Sequence, residues 1–208
     1  MSIFADELTT PDQDPEPDSS RPGPSDHDVW LTPDKHHFDH NISDPRWAGI
    51  LADSKMLCVQ AADRMVSHVL SSGSRRIDVS VLWTDDEQIA ALNGQYRQKS
   101  GPTNILSFPS ADDHFQPDQQ LFLGDLVLGY DTVVREAAEA GKPVSHHVTH
   151  LFVHGLLHLA GYDHIDEDEA DEMEALETSL LAEIGIPDPY HDAGSVSGPQ
   201  IPVRSRQK

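Results

Sequence analysis

The densest chemistry in this chain lies in one run, His154-Gly155-Leu156-Leu157-His158-Leu159-Ala160-Gly161-Tyr162-Asp163-His164. His154 and His158 are four apart, so on a helix both imidazoles leave the same face about one turn from each other. That spacing lets two ring nitrogens reach one ion at about 2.0–2.1 Å, the Zn–N distance. Gly161 permits the left-handed turn that ends a helix, and the chain can then fold back to bring His164 to the same ion. Three histidines with a fourth position open describe a catalytic zinc rather than a structural one, with one Zn2+ per chain expected. His147 and His150 project near the same face; they are either substrate-binding groups or ordinary hydrogen-bonded helix histidines. Asp163 either orients a ligand imidazole or caps the following helix.

The spacing H-x-x-x-H-x-x-G-x-x-H is also that of the metzincin peptidases. Those enzymes keep a glutamate base directly after the first histidine, where this chain has Gly155. Hydrolysis of a peptide or amide bond therefore stands as an alternative without its proton-abstracting group. A non-catalytic protein in which zinc is structural is the other alternative.

A second polar concentration runs from Leu92 to Pro109, LNGQYRQKSGPTNILSFP. Arg97 and Lys99 sit where the chain leaves a helix, and arginine offers a planar fork that matches phosphate oxygens. Arg97 is either a phosphodiester clamp beside the metal or a surface arginine favoured there by the helix dipole.

The elements that must position these groups stand in an acidic chain. The 208 residues carry 36 acidic and 14 basic side chains, for a formal net charge of −22. The surplus excludes a broad basic nucleic-acid surface. It is unevenly placed, however: residues 1–30 have a net charge of −7, residues 163–192 one of −12, and residues 31–162 only −6. Acidity alone argues against a nucleic-acid partner, yet the segment that bears Arg97, Lys99, His154 and His158 is only mildly acidic. The single cysteine, Cys58, excludes an internal disulfide and a cysteine-built zinc cluster.

Residues 1–35 read as a disordered, acidic, Pro-rich extension, 36–190 as the folded domain, and 191–208 as a flexible tail. The start has neither the basic residues nor the apolar core of a signal peptide, and no apolar run is long enough for a membrane span; a cytoplasmic protein is expected. Helical spacing of Ile50, Leu51, Leu57, Ala61, Met65 and Leu70 predicts a helix over 47–70, and alternation predicts a strand over 76–83. Thr84 and Glu87 suggest a capping box opening the next helix. Apolar strands follow at 105–108 and 121–128, the second broken at Gly124-Asp125. Asp131 or Thr132 opens a helix that ends at Gly141, and Pro143 suits the first turn of a histidine-bearing helix at about 144–160. A last, acidic helix presents Met173, Leu176, Leu180 and Ile184 on one face. A strand near Phe38–Ile42 is weakly signalled. The fold class is α+β, a small mixed β-sheet packed with helices, with the histidine helix at the core of the site.

Together the two segments resemble the YbeY family of bacterial metal-dependent endoribonucleases. Its hallmark, HGxLHLxGYDH, is matched at His154–His164. A second mark, similar to LNxxYRxKDxPTxVLSFP, is matched at Leu92–Pro109, with Ser100 and Gly101 replacing a common Asp and a frequent Lys. Leu123-Gly124-Asp125 and Met173-Glu174 also fit. The resemblance implies an α+β fold and one zinc held by His154, His158 and His164, with a functionally important arginine at Arg97. It further implies cleavage of single-stranded RNA, maturation of the 3′ end of small-subunit ribosomal RNA, and removal of defective ribosomes; a non-catalytic ribosome-assembly factor with a zinc site is the alternative. The implied partners are ribosomal RNA and the small ribosomal subunit, with a ribosomal protein or an assembly GTPase, and neither DNA nor membrane. Lys99, His147 and His150 complete the expected substrate contacts. Either water or the RNA's own 2′-hydroxyl serves as nucleophile; the sequence leaves both open.

Overall fold

The computed structural model describes residues 26–33, 36–69, 76–110, 121–163 and 166–191. Its sheet has the order β1-β2-β3-β5-β4 and is built from β1 (Asp26–Leu31), β2 (His37–Ile42), β3 (Ile77–Thr84), β4 (Ile105–Pro109) and β5 (Leu121–Gly129). The outer pairs, β1 with β2 and β4 with β5, are antiparallel, whereas β3 lies parallel to both β2 and β5. The expected mixed sheet is therefore present, in five strands, with five helices around it. Among the described residues, no helix is long and apolar enough to cross a membrane.

Alternation sorts β3 between the two faces: Ile77, Val79, Val81 and Trp83 are buried in the main core, while Leu82 packs into a smaller cluster on the other side. The main face is covered by α1 (Trp47–Val69) and α4 (Val144–Leu159). On α1, Trp47, Leu51, Ser54, Cys58, Ala61 and Met65 form the buried stripe. Burial pushes the Cys58 thiol up to about 12, so it acts as a small apolar side chain and not as a nucleophile. The smaller cluster joins Ile89 of α2 (Asp86–Arg97) to Leu106 and Val127. Two further helices, α3 (Tyr130–Glu139) and α5 (Glu167–Glu183), pack against α4, which also touches α1, β4 and β5.

Three local expectations differ. The segment expected to be disordered through residue 35 contains β1, anchored by Trp30, which is buried and stacks on His40 at 3.7 Å. One large aromatic supplies apolar area that the acidic composition conceals; residues 1–25, 34 and 35 of the expected extension lie outside the described residues, as does the tail from 192 onward. Thr84 is not a cap: it is paired in β3 opposite Gly129, so the chain turns one residue later. Asp85 caps α2 by accepting from the Gln88 N–H at 2.8 Å. The next helix begins at Tyr130 rather than Asp131 or Thr132, and no side chain caps it at Gly129. Instead Asp86 reaches across from α2 to accept from the Thr132 amide and hydroxyl, at 3.0 and 2.6 Å.

What brings α4 against the sheet is Gly155. A Cβ there would stand 2.7 Å from both Ile105 Cδ1 and Leu126 Cδ2. A Gly155→Val chain should lose about 1–3 kcal/mol through overpacking, and each kcal/mol lowers Tm by about 2–4 °C at this size. Thermal unfolding checks this, and an unchanged Tm would show that α4 does not need this close approach.

Candidate functional site

With its apolar side committed to the core, α4 turns His147, His150, His154 and His158 the other way. The Nε2 atoms of His154 and His158 lie 3.1 Å apart. Two nitrogens about 2.0–2.1 Å from one tetrahedral ion stand about 3.3 Å from each other.

Hydrogen bonding on the far sides of the rings fixes what those nitrogens can do. His158 Nδ1 is 2.9 Å from the Tyr162 carbonyl oxygen, which only accepts, so Nδ1 carries a proton. Gly161, at φ +96°, makes the turn that returns this carbonyl to the helix. His154 Nδ1 donates to Glu177 Oε1 at 2.8 Å. Burial pushes the Glu177 carboxyl up, but hydrogen bonds from His150, His154 and Tyr190 outweigh it and hold the group at about 2, ionised and accepting only. Both Nδ1 atoms are therefore donors, and in the neutral rings both Nε2 lone pairs converge. Such an arrangement calls for a shared proton or a cation between them. The donor set fits zinc, for which histidines oriented through outer carboxylate and carbonyl partners are the rule.

Glu177 is fully buried and also accepts from His150 Nε2 at 2.7 Å and from the Tyr190 hydroxyl. Burial and the adjacent Glu177 carboxylate both raise the Tyr190 phenol, which stays protonated as a donor. A neighbouring set joins His147 Nε2 and Asn104 Nδ2, each 3.0 Å from Glu136 Oε2. Burial opposes ionisation of Glu136, but the bonds from His147 and Asn104 keep its carboxyl below the ordinary value. Asn104, His147, His150, Glu177 and Tyr190 border a cavity of about 370 Å³ that His154 also lines.

The structure thus brings together His147, His150, His154 and His158. The third expected ligand, His164, lies outside the described residues. Among the described residues no three His, Cys, Asp or Glu side chains are grouped to hold an ion. Arg97, the last residue of α2, and Lys99, just past it, are exposed and do not line this cavity. The second motif meets the histidines through its other end, at Asn104. Asn93, buried on α2, shapes the intervening loop by donating to the Gly101 carbonyl at 3.0 Å. Asp163 does not cap α5; Asp166 does, accepting from the Glu169 N–H at 2.9 Å.

The family model described as Endoribonuclease YbeY matches residues 52–185. The chain belongs to the YbeY family. An Endoribonuclease YbeY of Rhodopseudomonas palustris is 52% identical over 121 residues, covering 58% of this chain and 64% of that protein. Another, of Rhizorhabdus wittichii, is 46% identical over 158 residues, covering 71% of this chain and 93% of that protein. A solution structure from Thermotoga maritima is 20% identical with a TM-score of 0.46, covering 76% of this chain and 99% of that one. The family match spans both motifs, and also Glu136 and Glu177, which motif reading passes over. Glu177 did leave a signal: it falls four residues after Met173 and three before Leu180, within the buried stripe of α5. A carboxylate in an apolar stripe needs a partner. Asn104 and Tyr190 left no comparable sign.

Glu177→Ala should weaken zinc binding by about 10–100-fold, as losses of outer partners do, read by competition with a chromophoric chelator. Native affinity would show that His154 is oriented without it. Since folding lowers this carboxyl from 4.5 to about 2, its contribution to stability is complete above the higher value and is lost as pH falls towards the lower. In the metal-free protein, acid unfolding of Glu177→Gln should lack that component.

Proposed function

We propose that the protein is a zinc-dependent endoribonuclease that cuts single-stranded RNA in the cytoplasm. Its work is maturation of the 3′ end of small-subunit ribosomal RNA and quality control of ribosomes. The observation that carries the reading is the pair of converging Nε2 lone pairs on His154 and His158, 3.1 Å apart, in a chain of the YbeY family. Relatives bearing the name Endoribonuclease YbeY support the bond class.

His154 and His158 would hold the ion, with His164 as the third ligand. When bound, zinc lowers the pKa of a water and polarises a phosphoryl oxygen. This chain's residues then have defined tasks. Glu177 and the Tyr162 carbonyl hold the Nδ1 protons and aim both lone pairs outward from the helix. Arg97 is exposed, so its guanidinium can meet a phosphate and neutralise charge developing on it; Lys99 adds a second cation nearby. Peptide hydrolysis is disfavoured because the position of the peptidase glutamate is Gly155, turned into β4 and β5. The acidic chain binds free RNA weakly, and the small ribosomal subunit, through a ribosomal protein or an assembly GTPase, supplies specificity.

Cleavage of single-stranded ribosomal RNA fragments by purified protein tests this. His158→Ala should lose zinc and at least about 100-fold in rate, no less than outer-partner losses cost. Arg97→Ala should keep its zinc and lose about 100-fold in kcat. Unchanged cleavage in both variants would expose a contaminating nuclease and refute the assignment. Product ends identify the nucleophile: a 2′,3′-cyclic phosphate means the RNA's own hydroxyl, and its absence means water.

A further inference from the structure

The cavity beside the histidine pair has a chemistry that the cleavage reaction does not use. His154 is both one of its walls and half of the nitrogen pair, so whatever enters lies next to the reacting phosphate. At about 370 Å³ it is near the small end of ligand sites, which run from about 300 to 1,000 Å³. That is room for one flat group rather than a length of chain.

Its walls suit an aromatic guest. Tyr190, 43% exposed, stands edge-on to His150 at 5.4 Å and 83°. The ring is held at both ends: its hydroxyl donates to Glu177, and its amide donates to Asp188 Oδ1 at 2.9 Å. Ile105, Leu151 and Met173 supply apolar surface. Single-stranded RNA is commonly recognised by splaying a base onto such an aromatic side chain.

The charge of the lining selects further. No lysine or arginine borders the cavity among the described residues, whereas Glu174 and Glu177 do. A phosphate is repelled; a neutral base is not. Glu177 is committed to His150, His154 and Tyr190. Glu174 is exposed at the rim, and among the described residues its carboxylate makes no hydrogen bond or ion pair. A carboxylate has two accepting oxygens and no donor. Guanine alone among the four RNA bases presents two adjacent donors, N1–H and N2–H2, on its Watson–Crick edge. Adenine and cytosine offer one amino group beside an acceptor, and uracil one N–H between two acceptors.

We infer that this cavity is a base subsite for the RNA, receiving one nucleotide next to the cut and preferring guanine through Glu174, with Tyr190 as the stacking surface. The inference rests on the endoribonuclease reading and gives that site a sequence preference.

The test titrates the four ribonucleoside 5′-monophosphates separately into the zinc-loaded protein and follows its methyl resonances by NMR. The phosphate is common to all four, so differences report the base. Guanosine monophosphate should bind at least about fivefold more tightly than the others, the lower end of what a bidentate contact to a base edge gives. It should shift Ile105, Leu151 and Met173. Glu174→Gln should remove that preference without loss of zinc, while Tyr190→Ala should weaken all four alike. Equal affinities, no binding of any up to about 10 mM, or a preference that survives Glu174→Gln would overturn the inference. None of the four has an internucleotide bond to cut. A guanine preference without RNA cleavage would therefore refute only the nuclease reading, and cleavage with equal affinities would refute only the subsite.

Discussion

A carboxylate with no exposed surface holds this site together. Glu177 would be untenable alone in the interior, where an unpaired charge is costly. Donors from His150, His154 and Tyr190 make it stable, and each gains a fixed orientation in return. The ring of His154 can point its other nitrogen at His158 only because Glu177 keeps the proton on the far side. The same carboxylate spaces α5 from α4 and draws the segment after α5 back over the histidines. The direction of the His154 ring, the cavity wall and the helix packing all follow from one buried charge and its three partners.

Around that charge, α4 works in two directions. One side is a mostly apolar surface, from Val148 to Leu159, in which Gly155 lets backbone approach the sheet. The other side is nearly all histidine. Few helices divide so sharply, because imidazoles at this density need partners, and α3, α5 and the Tyr162 carbonyl provide them.

Much of this was legible in the sequence, for identifiable reasons. Local signals located every helix: apolar spacing for α1 and α5, and start and stop residues for α2, α3 and α4. His154 and His158 were legible because four residues is one turn. Gly161 was legible because only a left-handed turn ends the helix there. What local pattern could not show were contacts that join distant segments. Asp86 capping α3, Glu136 holding both His147 and Asn104, and Glu177 holding three donors are all long-range. The capping position slipped by one residue because sheet pairing claimed Thr84. β1 was hidden because acidic neighbours masked a buried tryptophan.

Gly155 also carries a consequence for how such a site can change over evolutionary time. Ligand distances in a metal site tolerate about 0.2 Å, whereas core substitutions readily displace a helix by more. Ile105 and Leu126, which press on α4 at Gly155, set how closely the helix that carries the nitrogens approaches the sheet. The hydrophobic interior of this protein therefore helps to set the spacing of its histidine nitrogens. Drift in core packing and drift in the geometry of the histidine pair are constrained as one trait.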